Sequence, residues 1–434
     1  MTRRLRKGML VALGGVLAVT MAACGGSAAD DTSDQNSGPI EDPTDPVTIT
    51  FASWVGESDE MKTVKAAFEK EHPNITVELQ SVPADSMTQK LTTQIAGNNP
   101  PDIAYVDAST VASFAARDAL VNLDNYISRS DVIDPDAYVD VFRAFVTYED
   151  SFYGLPIDGE STALFYRTDM LESAGIDTPP ATWDEYMSAA EALTDPANKQ
   201  YGTAIFAPEA AYYWYPWLWQ NGGEVLNEDG TQIAFDSPEG LEAAEYYVAL
   251  SKFAPPDYLN SNSYDARLGF FQGQIAMYPA GAWFAGVITE EAPDLAGKWA
   301  VAPLPEGAAG CATTVASDTL VIFNQSDHKD AAFQWIEFLS KPENMSLLTY
   351  EADGTVMPTT TELLESPALL EKKPELATFA DVMSCGESNV IINKAWPQIE
   401  EGLNAQLGAA IYGNTTVAEA LESAATEGQA LLER

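Results

Sequence analysis

Histidine is nearly missing from this chain. Its 434 residues contain two, His72 and His328, both in surface-like settings at predicted helix ends. Neither setting suits a catalytic base or a metal ligand. Common enzyme signatures are missing too: there is no Gly-x-Ser-x-Gly elbow, phosphate loop, dinucleotide glycine pattern or His-Glu-x-x-His. A carboxylate pair could serve glycoside hydrolysis, but among 65 acidic residues such pairs arise by chance. The expectation is a protein that is not an enzyme and uses neither cofactor nor metal.

Basic residues are scarce as well, 22 Lys+Arg against 65 Asp+Glu, for a net charge of -43. Such a surface repels nucleic acid and anionic lipid and disfavours a strongly anionic ligand. High negative charge also keeps an exported protein dispersed, which accounts for the charge as a whole. Cysteine is limited to Cys24, Cys311 and Cys385. In an oxidising compartment the last two are expected to form a disulfide, the alternative being two buried free thiols.

No apolar run is long enough to cross a bilayer comfortably, which takes about 20 residues. What the N-terminus does have is Arg3, Arg4, Arg6 and Lys7, then an uncharged stretch from Met9 to Ala23 ending in Met21-Ala22-Ala23-Cys24. A basic start, a short apolar segment and small residues before a cut site make a secretory signal. The small residues directly before a cysteine resemble the lipobox of bacterial lipoproteins, with Met21 where Leu, Val or Ile is usual. That resemblance implies cleavage before Cys24, its lipidation, and anchoring to the outer face of the cell membrane, since paired acyl chains hold stably. Arg3-Arg4 matches a twin-arginine signal only in part.

Residues 25–46 are Gly, Ser, Asp, Asn and Pro with almost no large apolar side chain, and read as a flexible tether. About 390 residues follow, more than one domain usually holds. Val47–Phe51 reads as a strand, Ser58–His72 as a helix stopped by Pro73, Ile75–Leu79 as a strand, Ser86–Ala96 as a helix and Ile103–Val106 as a strand. This alternation predicts an α/β lobe of parallel units. Asp229-Gly230 between short apolar runs predicts a hairpin in Val225–Phe235. Glu239–Phe253, Asp330–Leu339 and Val417–Leu432 read as amphipathic helices.

Aromatic residues are plentiful. Tyr212-Tyr213-Trp214-Tyr215-Pro216-Trp217-Leu218-Trp219 leads into Gln220-Asn221-Gly222-Gly223, and single tryptophans stand at Trp54, Trp283 and Trp396. Flat rings ringed by carboxylates and amides suit sugars, which present an apolar face and a rim of hydroxyls. Some of these rings must be core instead: Trp217 and Trp219, two apart on a helix, cannot both face one site.

Further motifs occur in a fixed order. They are Phe68 through Asp102; Tyr153-Gly154-Leu155-Pro156; Leu164-Phe165-Tyr166-Arg167; Pro180-Ala181-Thr182-Trp183; Phe270-Phe271-Gln272-Gly273-Gln274; Gly281-Ala282-Trp283; and Gly354-Thr355-Val356-Met357-Pro358. Together they resemble the extracellular solute-binding proteins of bacterial ABC importers, the sugar-binding branch that includes maltose-binding protein. Arg167 stands where Asn is usual, and Ala316-Ser317-Asp318 where small glycines are common.

The resemblance implies a two-lobed α/β fold of the periplasmic-binding-protein type II class with a ligand cleft between lobes. Lobe 1 would comprise 47–157 and 319–356, and lobe 2 would comprise 158–318 and 357–434. The chain would cross near Asp158–Ser161, Ser317–Leu320 and Thr355–Pro358. It further implies a ligand site of Trp54, Glu57, Asp107, Glu160, Tyr212 (with Trp214 as the near alternative), Trp283 and Trp396, with Cys311 and Cys385 both in lobe 2. The expected function is a lipid-anchored, monomeric receptor that hands a sugar, most simply an oligosaccharide, to ABC permease transmembrane subunits. Alternatives are the same fold binding a polyamine or other cationic solute, a surface glycosidase, and an adhesin.

Overall fold

The computed structural model describes residues 38, 40–256, 266–351, 356–388, 393 and 395–433. The signal segment, Cys24, residues 25–37 of the tether, and Gly354 and Thr355 lie outside them. Among the described residues no helix is long and apolar enough to cross a membrane.

Eleven strands are described: β1 (Val47–Ser53), β2 (Ile75–Ser81), β3 (Ile103–Asp107), β4 (Thr147–Tyr148), β5 (Ser151–Phe152), β6 (Leu155–Arg167), β7 (Tyr201–Thr203), β8 (Ile275–Gly281), β9 (Trp299–Ala302), β10 (Thr313–Ile322) and β11 (Gly386–Ser388). The main sheet runs β2-β1-β3-β10-β6-β8-β7, with β11 added to β10 and β9 to β6. The expected parallel units hold for β1, β2 and β3. The centre is different. β10 is antiparallel to both β3 and β6, and β6 is antiparallel to β8. β6 and β10 are long strands whose pairings reach into both halves of the molecule.

Local chemistry explains the first elements. β1 alternates so that Ile49 and Phe51 are buried. The helix Asp59–Glu71 starts where the Ser58 hydroxyl accepts from the Met61 N–H, and it buries Met61, Val64 and Phe68 at helical spacing. Phe68 and Phe51 meet Trp335 of the helix Lys329–Leu339 edge to face. The predicted hairpin at Asp229-Gly230 is a turn closed by one bridge, Leu226 to Ile233, with Gly230 at φ +65°. Residues 40–46, expected to be part of a flexible tether, are docked instead. Ile40 packs on the first core, Asn74 donates to the Pro43 carbonyl at 2.8 Å, and Gln334 donates to Asp42 at 2.9 Å.

Two sets of cores result. The first half buries Ile49, Phe51, Phe68, Trp335 and Leu339, backed by Leu91 and Phe114 across the sheet. The second buries Tyr186, Trp214, Trp217 and Leu403, with Phe165, Phe270, Phe284 and Phe379 on the other side. Phe142, Phe145, Ala108 and Val315 form a small cluster of their own. Near the expected boundary at 356 the halves exchange side chains: Tyr350 packs with the second set and Leu363 with the first.

Arg167, the departure from the sequence pattern, is buried. It forks onto Asp169 with bonds of 2.8 and 2.7 Å and donates to the Phe270 carbonyl at 2.9 Å. Cys311 and Cys385 are bonded, their Cα atoms 5.9 Å apart, just ahead of the paired strands β10 and β11.

Candidate functional site

The strand register sets the site. Asp318 on β10 lies opposite Asp107 on β3 and opposite Asp158 on β6, so three carboxylates stand in one row across three strands. Residues directly opposite on an antiparallel pair share a face, and residues two apart on a strand do as well. Glu160 therefore joins the row from β6, and Tyr105 joins it from β3. The third segment of chain comes in here too, where Gly159 and Met357 exchange backbone hydrogen bonds of 2.7 and 2.9 Å. Only glycine fits at 159, because a Cβ there would stand 2.2 Å from the Phe142 ring.

Aromatic rings frame the row. Tyr105 donates its hydroxyl to Asp158 Oδ2, and Trp54 meets Tyr105 edge to face at 4.6 Å. Gly281 is pinched between Glu160 and Trp283: a Cβ on it would stand 2.6 Å from Glu160 Oε2 and 2.7 Å from the Trp283 Nε1. Tyr212 reaches in from the helix Ala210–Gln220, its hydroxyl 3.2 Å from Thr162 Oγ1. Pro216 inside that helix has no N–H for the Tyr212 carbonyl, which accepts instead from Thr314 Oγ1 of β10 at 3.4 Å. The helix is thus tied to the sheet at the residue that faces the row.

Burial and mutual repulsion disfavour ionisation here. Burial first, then the Asp107 charge, pushes Asp158 up to about 7, against the Tyr105 hydrogen bond. Burial, Asp158 and Asp107 push Glu160 up to about 8. Burial, then Asp158, Asp107 and Glu160, hold Asp318 well above the usual carboxylate range. Among the described residues none of the four acids makes an ion pair with a basic residue. Nor does any group of His, Cys, Asp and Glu there have the arrangement to hold a metal ion.

The structure gathers Trp54, Asp107, Glu160, Tyr212 and Trp283 around this row. Glu57 lies apart, exposed and 3.4 Å from Lys62. Trp214 and Trp396 are corrections: both rings are fully buried in the second hydrophobic core. Trp214 is two residues from Tyr212 on one helix and one turn from Leu218, so its face belongs to the core once Tyr212 points to the sheet. Sequence reasoning missed Tyr105, Asp158 and Asp318 as site residues. Asp158-x-Glu160 has strand alternation, but the partners are distant in sequence and no local signal joins them. Two surface depressions of about 560 and 630 Å³ are lined by other residues, one along the helix Trp396–Ile411, whose Glu400 feels the Asp107 charge, and one among residues 124–135.

Residues 54–346 match the model of the family described as bacterial extracellular solute-binding protein. A binding protein of Brucella abortus strain 2308 is 31% identical over 300 residues, covering 68% of this chain and 71% of that one. The crystal structure of a solute-binding protein from Thermotoga lettingae, bound with α-D-tagatose, superposes with a TM-score of 0.81 at 28% identity, covering 90% of this chain and 100% of that one. An ABC substrate-binding protein from Listeria monocytogenes, in complex with cycloalternan, superposes with a TM-score of 0.82 at 26% identity and the same coverages.

Proposed function

The chain belongs to the bacterial extracellular solute-binding proteins, and we propose that it is the sugar receptor of an ABC importer. In this reading it is a receptor and not an enzyme. Cys24, lipidated, holds it to the outer face of the membrane, and it delivers its ligand to a permease pair. The observation that carries the reading is the meeting of carboxylates and aromatic rings where the strands of the two halves cross: Asp107, Asp158, Glu160 and Asp318, with Trp54, Tyr105, Tyr212 and Trp283. Carboxylates accept strong hydrogen bonds from hydroxyls, and rings stack on the apolar sugar face. Two solved relatives of this fold were crystallised with a sugar, tagatose in one and cycloalternan in the other. The row spans three strands, about 10 Å at the usual interstrand spacing, wider than one pyranose ring. That width favours an oligosaccharide. The two halves, linked by three crossings, would close on it by a hinge motion.

Thermal shift against a saccharide panel tests this. A ligand that binds only the folded state at 100 times its Kd stabilises by about 2.7 kcal/mol, so at least one oligosaccharide should raise the Tm by several degrees. A panel in which no saccharide moves the Tm overturns the reading. The carboxylate row also favours a second reading, the same fold holding a polyamine, which spermidine in the panel would reveal.

A further inference from the structure

Resting on the sugar-binding reading, we propose that the saccharide this site takes carries a protonated amine, seated on the row of Asp107, Asp158, Glu160 and Asp318. Two observations carry it. The first is geometric: the register places three aspartates side by side on adjacent strands, with Glu160 two residues along. The second is an unmet acceptor. Asp158 is 96% buried, its Oδ2 accepts from Tyr105, the Asp318 backbone N–H also acts on its carboxylate, and no side chain among the described residues donates to its Oδ1. Buried acceptors usually find a donor, and of the buried side-chain atoms without one among the described residues, Asp158 Oδ1 is the carboxylate oxygen, standing in the row.

Among the described residues, no basic group acts on these acids. The titratable groups that act on these acids are Tyr105 and Asp107 from β3, Asp318 from β10, and Asp158 and Glu160 from β6. Tyr212 and Glu400 are in turn affected by the row, and Glu209 stands beside Tyr212. All are acidic or phenolic. In the empty site, protons held on Asp158, Glu160 and Asp318 relieve the repulsion. A hydroxyl adds no charge and leaves those protons where they are, whereas an ammonium group brings three donors and one positive charge. It would displace shared protons on binding. The aromatic frame of Trp54, Tyr212 and Trp283 serves the ring that carries the amine, which separates this ligand from a bare polyamine.

Titration calorimetry on the full chain tests this with matched probes: glucosamine disaccharide and trisaccharide, cellobiose and cellotriose, the N-acetylated neutral forms, and spermidine. The expected result is at least ten-fold tighter binding of the amino forms than of their neutral counterparts. That preference should strengthen at least ten-fold between pH 5.5 and pH 7, because protons compete with the amine. Asp158→Asn and Glu160→Gln should each reduce the preference while keeping the fold, as judged by circular dichroism. Equal or tighter binding of the neutral forms overturns this proposal and leaves the sugar receptor standing. Silence toward every saccharide, with or without a spermidine response, overturns both.

Discussion

Gly281 sits where Glu160 and the Trp283 indole converge, and a side chain there would have to push both aside. Both neighbours are side-chain atoms that can swing away. Gly281→Ala should therefore cost little stability, with Tm held within about 2 °C, the change expected for under about 1 kcal/mol in a chain of this size. It should nevertheless lower ligand affinity at least ten-fold, read by calorimetry. The carboxylates make a separate prediction. Asp158 and Glu160 are raised to about 7 and about 8, so the folded state holds protons that the unfolded chain has lost. Their contribution to stability is complete below about pH 4 and is lost as pH rises through about 7 to 8. The ligand-free Tm should fall between pH 5 and pH 8, and Glu160→Gln or Asp158→Asn should flatten that fall, as a series of melts will show. At this scale the sequence was only partly legible. The family resemblance, through the glycine before Trp283 and the Pro216 pattern after Tyr212, pointed to two rings that do stand beside the row. Asp158 and Asp318 were not legible, because in a chain with 65 acids their pairing depends on a register between strands about 160 residues apart.

Elements were more legible than residues wherever a local signal marked their ends. The Ser58 cap, the buried stripe of Met61, Val64 and Phe68, and the alternation of Ile75 and Val77 all emerged where periodicity placed them. The orientation of β6 and β10 did not, since nothing local says whether a strand runs parallel or antiparallel to a distant partner. The helix Ala210–Gln220 misled for another reason: eight consecutive positions, Tyr212–Trp219, hold six rings, and composition alone does not say which face packs inward. The disulfide belongs to this scale. It spans 74 residues of chain and links the approaches to β10 and β11. Loop-closure entropy for that separation is worth about 4.5 kcal/mol at most. Cys311→Ser with Cys385→Ser should lower stability by up to that amount in urea melts. Because the bridge lies outside the carboxylate row, ligand affinity at 25 °C should change less than two-fold.

For the molecule as a whole, the two core sets and the crossings at β6, β10 and Met357 place the acids where the halves meet. The strong negative charge adds little to the choice of ligand, since most acids are on the surface and are screened within about 8 Å at physiological salt. In the proposed reading the ligand is chosen by the acids and rings at the crossing. The central claim is thus that one saccharide site exists and that Trp283 and Glu160 form part of it. Intrinsic tryptophan fluorescence, titrated with saccharides in the wild type and in Trp283→Ala and Glu160→Gln, tests it most directly. The account predicts a saturable signal at micromolar concentration or below with at least one saccharide, weakened at least ten-fold in each variant while both remain folded. Saccharide binding that survives both substitutions unchanged would contradict it.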